Sequence, residues 1–376
     1  MSCASAPARK RARVEDEDRA GDPRLPASGL EKDDDVWLSD GSIVVVAAAD
    51  NVAFRVHKST LARRSEIFRD LFSLPNADAA TAEAIEGCPV VHISDASDDI
   101  RHLFLVLCCG KNYYYDGDVL LAVPFEVLAS LIRMAHKYAI PDVLDHALSR
   151  LKRYYPSDLA AWRDSASRAR YVTTRPEHAP EVVALARLTD TPSLLPSALL
   201  LCTGLLTTYG LPRAGGAFEF KLAALPVPDQ ALLIAAWGYL INLCAERALC
   251  LLAAVPCAGC TQPEVCRAAK DAPLVALRGG AASSAGPLFY DRDPLQPMAP
   301  ALWDEAQWWM LCASCRKALV DADDAEMRWV WSGLPSMFGV KIDGDGWPSA
   351  PGEVQREILT FGPVDDAEPE LEDNDA

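Results

Sequence analysis

The sequence predicts an α+β module over residues 35–155, a small β-sheet capped by a helical cluster, followed by a mainly α-helical region over 156–350. Three observations carry this reading. Phe54–Phe72 passes from strand periodicity to helix periodicity within one stretch. The segments around it run hairpin, helical pair, strand and three helices, an α+β order. Beyond residue 156 strand-like alternation stops, and Leu-, Ala- and Pro-rich helical segments take over.

In the switch segment Val52, Phe54 and Val56 alternate with Ala53 and Arg55, as in a half-buried strand. His57 breaks the alternation. Leu61, Phe68, Leu71 and Phe72 then share one helical face with Ser65, which is small enough for close packing, while Arg63, Glu66, Arg69 and Asp70 point elsewhere. Upstream, order begins near Asp35-Val36-Trp37, and Asp40-Gly41 marks a turn. Ile43–Ala49 reads as a strand covered on both faces, and Asp50-Asn51 suits a two-residue hairpin turn. Downstream, Asn76–Gly87 reads as an exposed loop and Val90–Ile93 as a strand. Ser97 reads as an N-cap for a helix burying Ile100, Leu103, Phe104, Leu107 and Cys108, which Gly110 ends. Tyr113–Tyr115 suits a short edge segment. Pro124 and Pro141 each stand where a helix begins. The first of these helices carries Phe125, Leu128, Ile132 and Ala135, the second Val143, Leu144, Ala147, Leu148 and Leu151.

The later helices are expected at Pro180–Leu188, Leu194–Thr208, Asp229–Val255, Leu302–Leu311 and Ala318–Trp331, with a long Pro/Gly loop near 267–301. No internal repeat of ankyrin or kelch period is visible. Leu194–Leu211 contains Pro196 and Gly204, and Ala231–Val255 contains Asn242, Glu246 and Arg247. Ionised residues are costly in lipid, so both stretches read as buried helices and no membrane span is expected.

At 376 residues the chain has room for two domains, taking roughly 100–200 residues for each. Its net charge of −17 argues against direct nucleic-acid binding, which needs a basic face. Residues 1–34 read as a disordered arm and 351–376 as an acidic tail. Within the arm, Lys10, Arg11 and Arg13 fit the K-[KR]-x-[KR] pattern of a nuclear import signal, and fit a solvated charge patch equally well. The N-terminus shows no apolar signal-peptide core. The 12 cysteines are therefore read as reduced, and the protein as cytoplasmic, nuclear or both.

Chemistry is sought where donors cluster. Cys257, Cys260, Cys312 and Cys315 form two C-x-x-C pairs, the spacing that gives two thiolates to one tetrahedral zinc, with Cys266 and His178 as spare candidates. The same cysteines fit reduced core residues beside helices, and both readings stay open. No cofactor other than a structural zinc is expected. Cys108-Cys109 reads as helix packing, and Trp303, Trp308, Trp309, Trp329 and Trp331 as core anchors or an aromatic patch. Phosphate-binding, nucleotide-binding, nucleophile-elbow and zinc-protease motifs are missing from the sequence, so no enzyme is expected.

The pattern F-x-x-H-K-x-x-L-x-x-x-S-x-x-F over Phe54–Phe68 resembles the most recognisable segment of BTB/POZ domains. Asp40, Phe54, His57, Leu61, Ser65 and Phe68 occupy that family's positions in order and spacing. The strings WLSDGSIVV, CPVVHISD, KYAIPDVL and YYPSDLAAW resemble basidiomycete fungal BTB proteins with a helical C-terminal region. The resemblance implies a non-enzymatic interaction module, a homodimer built around Trp37–Ser42 and Lys58–Arg64, in which His57 fixes a corner through local backbone. It implies a scaffold or adaptor in transcriptional regulation, or a substrate adaptor of a cullin-type ubiquitin ligase. The adaptor group carries a hydrophobic-x-Glu contact after the second helix. Here Leu71-Phe72-Ser73-Leu74-Pro75-Asn76 has no Glu, which weakens the cullin reading.

Overall fold

Ile43–Ala47 is a run of β-branched and small residues buried at every position, and a five-stranded sheet forms around it. The computed structural model describes residues 29–73, 83–111, 122–209, 225–278, 293–303, 305–343, 346–349 and 359. They divide into two compact units, one ending at Lys111 and one beginning at Asn112.

In the first unit the strands are β1 (Glu31–Trp37), β2 (Ile43–Ala47), β3 (Val52–Val56), β4 (Ala84–Ile85) and β5 (Cys88–Ile93), in spatial order β1-β3-β2-β5-β4. β2 and β3 are antiparallel with Val45 opposite Phe54, whereas β2 runs parallel to β5 with Val44 opposite Val90. The β2–β3 connection spans Ala48–Asn51, four residues rather than the expected two, because Ala47 is already opposite Val52. Asn51 takes the left-handed conformation (φ 56°) that its short amide side chain tolerates.

The sheet begins earlier than expected. β1 covers residues 31–34, which read as disordered, and pairs parallel to β3. What holds this acidic strand is Asp33, buried although charged. Its carboxylate accepts the N–H groups of Asp35 (3.0 Å) and Val36 (2.8 Å) and the Nε of Arg101 (2.5 Å). The expected loop at 76–87 also ends in structure. β4 and β5 form a hairpin across Glu86-Gly87, both at positive φ (49° and 77°), as a tight two-residue turn requires. Glu86 is held there by ion pairs to Lys32 and Arg55. The Lys32 ammonium holds its carboxyl below the usual carboxylate range.

The helix after β3 is broken in two, α1 (Lys58–Arg64) and α2 (Glu66–Leu71), and α3 (Ser97–Leu107) follows β5. Ala96, not Ser97, is the N-cap of α3; the Ser97 N–H is met by Asp50 Oδ2 at 2.6 Å. Phe54, Phe68 and Phe104 form the centre of this core, with ring centroids 5.5 Å apart for Phe54–Phe104 and 6.1 Å for Phe68–Phe104. Tyr113–Tyr115 lies outside the described residues.

Among its described residues the second unit is helical apart from a two-residue parallel pair, β6 (Val123–Pro124) and β7 (Val172–Thr173). Pro124 is the N-cap of α4 (Phe125–Lys137) rather than its first residue, and Pro141 begins α5 (Pro141–Tyr154) as expected. Next come α6 (Leu159–Arg163), α7 (Ser165–Arg168), α8 (Ala179–Leu188), α9 (Leu195–Tyr209) and α10 (Val227–Ala253). The last four are α11 (Pro263–Arg278), α12 (Ala299–Leu302), α13 (Glu305–Met310) and α14 (Ala313–Met337).

Two expectations change here. Residues 267–278 of the expected loop are helix, because α11 runs through Pro273. The single helix expected at Leu302–Leu311 is two short ones, α12 and α13. Among the described residues α10 alone is long and apolar enough, by length and composition, to cross a membrane. One face of it packs into the helical unit, with Leu233, Ala236, Leu251 and Leu252 buried and Arg247 buried against Asp323 of α14, while Ile234 and Leu249 are exposed.

Candidate functional site

The strand-to-helix corner at His57 is set by three close approaches. Gly41 lies so near β3 that a Cβ there would meet Arg55 Cγ at 2.8 Å and Leu38 O at 3.0 Å. Its carbonyl accepts from Arg55 Nε (3.1 Å) and the Cys88 thiol (3.1 Å). Ser42 then supplies the cap that His57 does not, its Oγ accepting the Lys58 N–H at 3.0 Å. The His57 ring lies beside the exposed Asp40, Nε2 to Oδ1 3.4 Å.

The six residues of the sequence pattern fall into three roles. Phe54, Leu61 and Phe68 are fully buried. Asp40 and His57 form the corner pair. Ser65 is buried, as close packing requires, but it is not helical: it is extended (φ −139°), ends α1, and its Oγ accepts the Phe68 N–H at 3.1 Å as the N-cap of α2. Outward, α1 presents Lys58, Ser59, Arg63 and Arg64 to solvent and α2 presents Glu66, Arg69 and Asp70, with Ile67 45% exposed and Leu71 and Phe72 half-buried beside it. Lys58 lies across this ridge, its Nζ donating to the Phe72 carbonyl at 3.2 Å. The exposed residues of β1 are mostly acidic: Glu31, Asp34 and Asp35, with one base, Lys32.

The second concentration of chemistry is a cysteine cluster in the helical unit. Cys260 lies in the turn after α10, Cys266 in the first turn of α11, Cys312 is the N-cap of α14 and Cys315 its third residue. One sulfur from each lies within 4.8 Å of every other. Cys312 Sγ is 3.8 Å from Cys260 Sγ, and Cys315 Sγ is 3.6 Å from Cys257 Sγ. Two backbone amides point at sulfur: Cys312 N–H at Cys266 (3.3 Å) and Cys257 N–H at Cys315 (3.4 Å). The Cys312 thiol is drawn down to about 5 by the backbone N–H groups of Thr261 and Cys315, while burial pushes Cys315 and Cys266 up. The cluster is walled by Leu251, Val255, Leu302, Trp303 and Leu319.

The structure thus brings together three of the four cysteines that the C-x-x-C pairs singled out and adds Cys266, with Cys257 at the edge. The signal for Cys266 was present in the sequence as a third cysteine six positions after Cys260. His178 is engaged elsewhere, its ring stacked on Phe125 (4.7 Å) and its Nδ1 3.0 Å from Thr174 Oγ1.

The other candidates resolve into packing. Trp303, Trp329 and Trp331 are buried. Trp303 Nε1 donates to the Ala269 carbonyl (2.9 Å) and Trp331 Nε1 to the Ser157 carbonyl (2.7 Å). Trp309 is 64% exposed under the Arg316 guanidinium. Cys108 and Cys109 lie at and beyond the end of α3 rather than within it. Burial pushes the Cys108 thiol up to about 12, and burial with Asp33 and Asp35 nearby raises Cys109, so neither is a ready nucleophile. Lys10, Arg11 and Arg13 lie outside the described residues.

A family model described as "BTB/POZ domain" matches residues 38–154. No curated protein and no solved structure matches the chain.

Proposed function

Residues 38–154 are a BTB/POZ domain, and from that premise we propose that the protein is a non-enzymatic scaffold or adaptor that pairs with a second copy of itself. BTB/POZ domains are protein–protein interaction modules that mediate self-association and binding to other proteins. The observation that carries the homodimer is the surface of the first unit. A mostly basic α1 (Lys58, Arg63, Arg64) with the apolar Ile67 next to it is exposed on the same domain as a mostly acidic β1 (Glu31, Asp34, Asp35). In a two-fold dimer each patch meets its counterpart reciprocally, so opposite charges on one chain are satisfied twice. Acidic residues on β1 also discourage that strand from pairing edge to edge with its own copy, which favours the helical face as the contact.

Replacing Arg63→Glu and Arg64→Glu together is expected to convert a dimer into a monomer on size exclusion at micromolar concentration while leaving the circular dichroism spectrum unchanged. An unchanged dimer would remove α1 from the interface.

The partners belong to transcriptional regulation in the leading reading. A cullin is the alternative, and the Leu71–Asn76 segment, which lacks Glu, counts against it. Incubation of the full chain with a cullin separates the two, since stable co-elution would favour the ligase adaptor. Nuclear entry is proposed from Lys10, Arg11 and Arg13. A fluorescent fusion with alanine at all three positions is expected to leave the nucleus, and unchanged nuclear signal would sink this assignment.

A further inference from the structure

We infer that Cys260, Cys266, Cys312 and Cys315 bind one zinc ion in a closed, all-thiolate structural site. Four sulfurs at the corners of a tetrahedron about 2.3 Å from a central zinc are separated by about 3.8 Å. Cys260 and Cys312 stand at that separation, 3.8 Å, and all four sulfurs lie within 4.8 Å of one another. A single central cation is therefore reached by every ligand with shifts of an ångström or less.

The donor set selects the metal class. Sulfur alone, with no carboxylate or imidazole in the group, suits a soft or borderline cation and not magnesium or calcium. Four thiolates fill a tetrahedral shell and leave no open position for water, which makes the site structural and not catalytic; Cys266, Cys312 and Cys315 are buried and Cys260 half-buried. The amides directed at Cys266 and Cys315 are the hydrogen bonds that metal thiolates accept from their surroundings.

This site differs from the one the paired motifs suggest. Cys257, first of the C-A-G-C turn, is outside the group of four, and Cys266 of α11 takes its place. Cys257 borders the site at Cys315, its N–H directed at Cys315 Sγ and its own Sγ 3.6 Å from that sulfur. The ion joins three segments that the chain connects loosely: the turn after α10, the start of α11 and the start of α14. Residues 279–292 between the second and third fall outside the described residues.

The test uses the full chain, purified without chelator and dialysed. Elemental analysis is expected to find about one zinc per chain, and X-ray absorption about four sulfurs near 2.3 Å. Zinc below about a tenth per chain, or oxygen and nitrogen in the coordination shell, would overturn the site and leave the cysteines as packed thiols. Cys266→Ser is expected to lose the zinc and Cys257→Ser to keep it; the reverse result would restore the paired-motif set.

Should Cys266→Ser fail to fold, thiol alkylation of the wild type decides. Cys257 and Cys260 are similarly half-buried. Cys257 is expected to react with and without chelator, and Cys260 only after chelator. Equal reaction of both before chelation would overturn the assignment.

Discussion

Ser65 does one thing that alanine cannot: standing extended between α1 and α2, it accepts the Phe68 amide in the first turn of α2 on its hydroxyl. Losing such a cap costs about 1 kcal/mol. Ser65→Ala is expected to lower stability by about that amount in urea unfolding, with no change in metal content or in the rest of the helical unit. A change below about 0.3 kcal/mol would mean that the break between the helices is set by packing alone. At this scale the sequence was uneven. Phe54, Leu61 and Phe68 were legible as core because their spacing repeats with the strand and the helix. Ser65 shares the helical spacing, so its burial was legible and its role as a cap was not. Asp33 was unreadable. An acid in an acid-rich segment reads as solvated, and only Arg101, brought from α3, shows why it is buried.

Among elements, α10 and α14 are locked by one buried network. Asp323 Oδ1 accepts Arg247 Nε at 2.7 Å, and Oδ2 accepts the N–H groups of Met298 (2.7 Å) and Ala299 (2.9 Å) at the start of α12. Arg247 also donates to the carbonyls of Pro294 (2.6 Å) and Gln296 (3.0 Å). Breaking such a pair from one side leaves a buried charge and costs about 3–5 kcal/mol. Arg247→Leu is therefore expected to destabilise the helical unit by that order in chemical denaturation. The double variant with Asp323→Leu should recover part of the loss, because the stranded carboxylate is gone. A single variant as stable as wild type would contradict the network.

The sequence showed Arg247 as a charge within an apolar stretch, and an ionised side chain there needs a partner. It did not name Asp323, 76 positions away. Helix ends were the other weak point. Pro273 reads as a breaker, yet α11 passes through it, while the turn chemistry of Glu86-Gly87 was hidden inside what looked like a loop.

For the whole molecule, the α+β module and the helical region were both legible in the periodicity, and the interaction role followed from the family pattern at Phe54–Phe68. The partner was not legible. The side chains of the proposed contact, Ile67, Arg63 and Arg64, are exposed and carry no period and no fixed spacing. The central claim is that this domain brings two copies of the chain together. Sedimentation equilibrium of the full chain at micromolar concentration tests it most directly. A mass of twice 40.7 kDa is expected, shifting toward the single-chain value as salt is raised. A species of 40.7 kDa at every concentration and salt would contradict it.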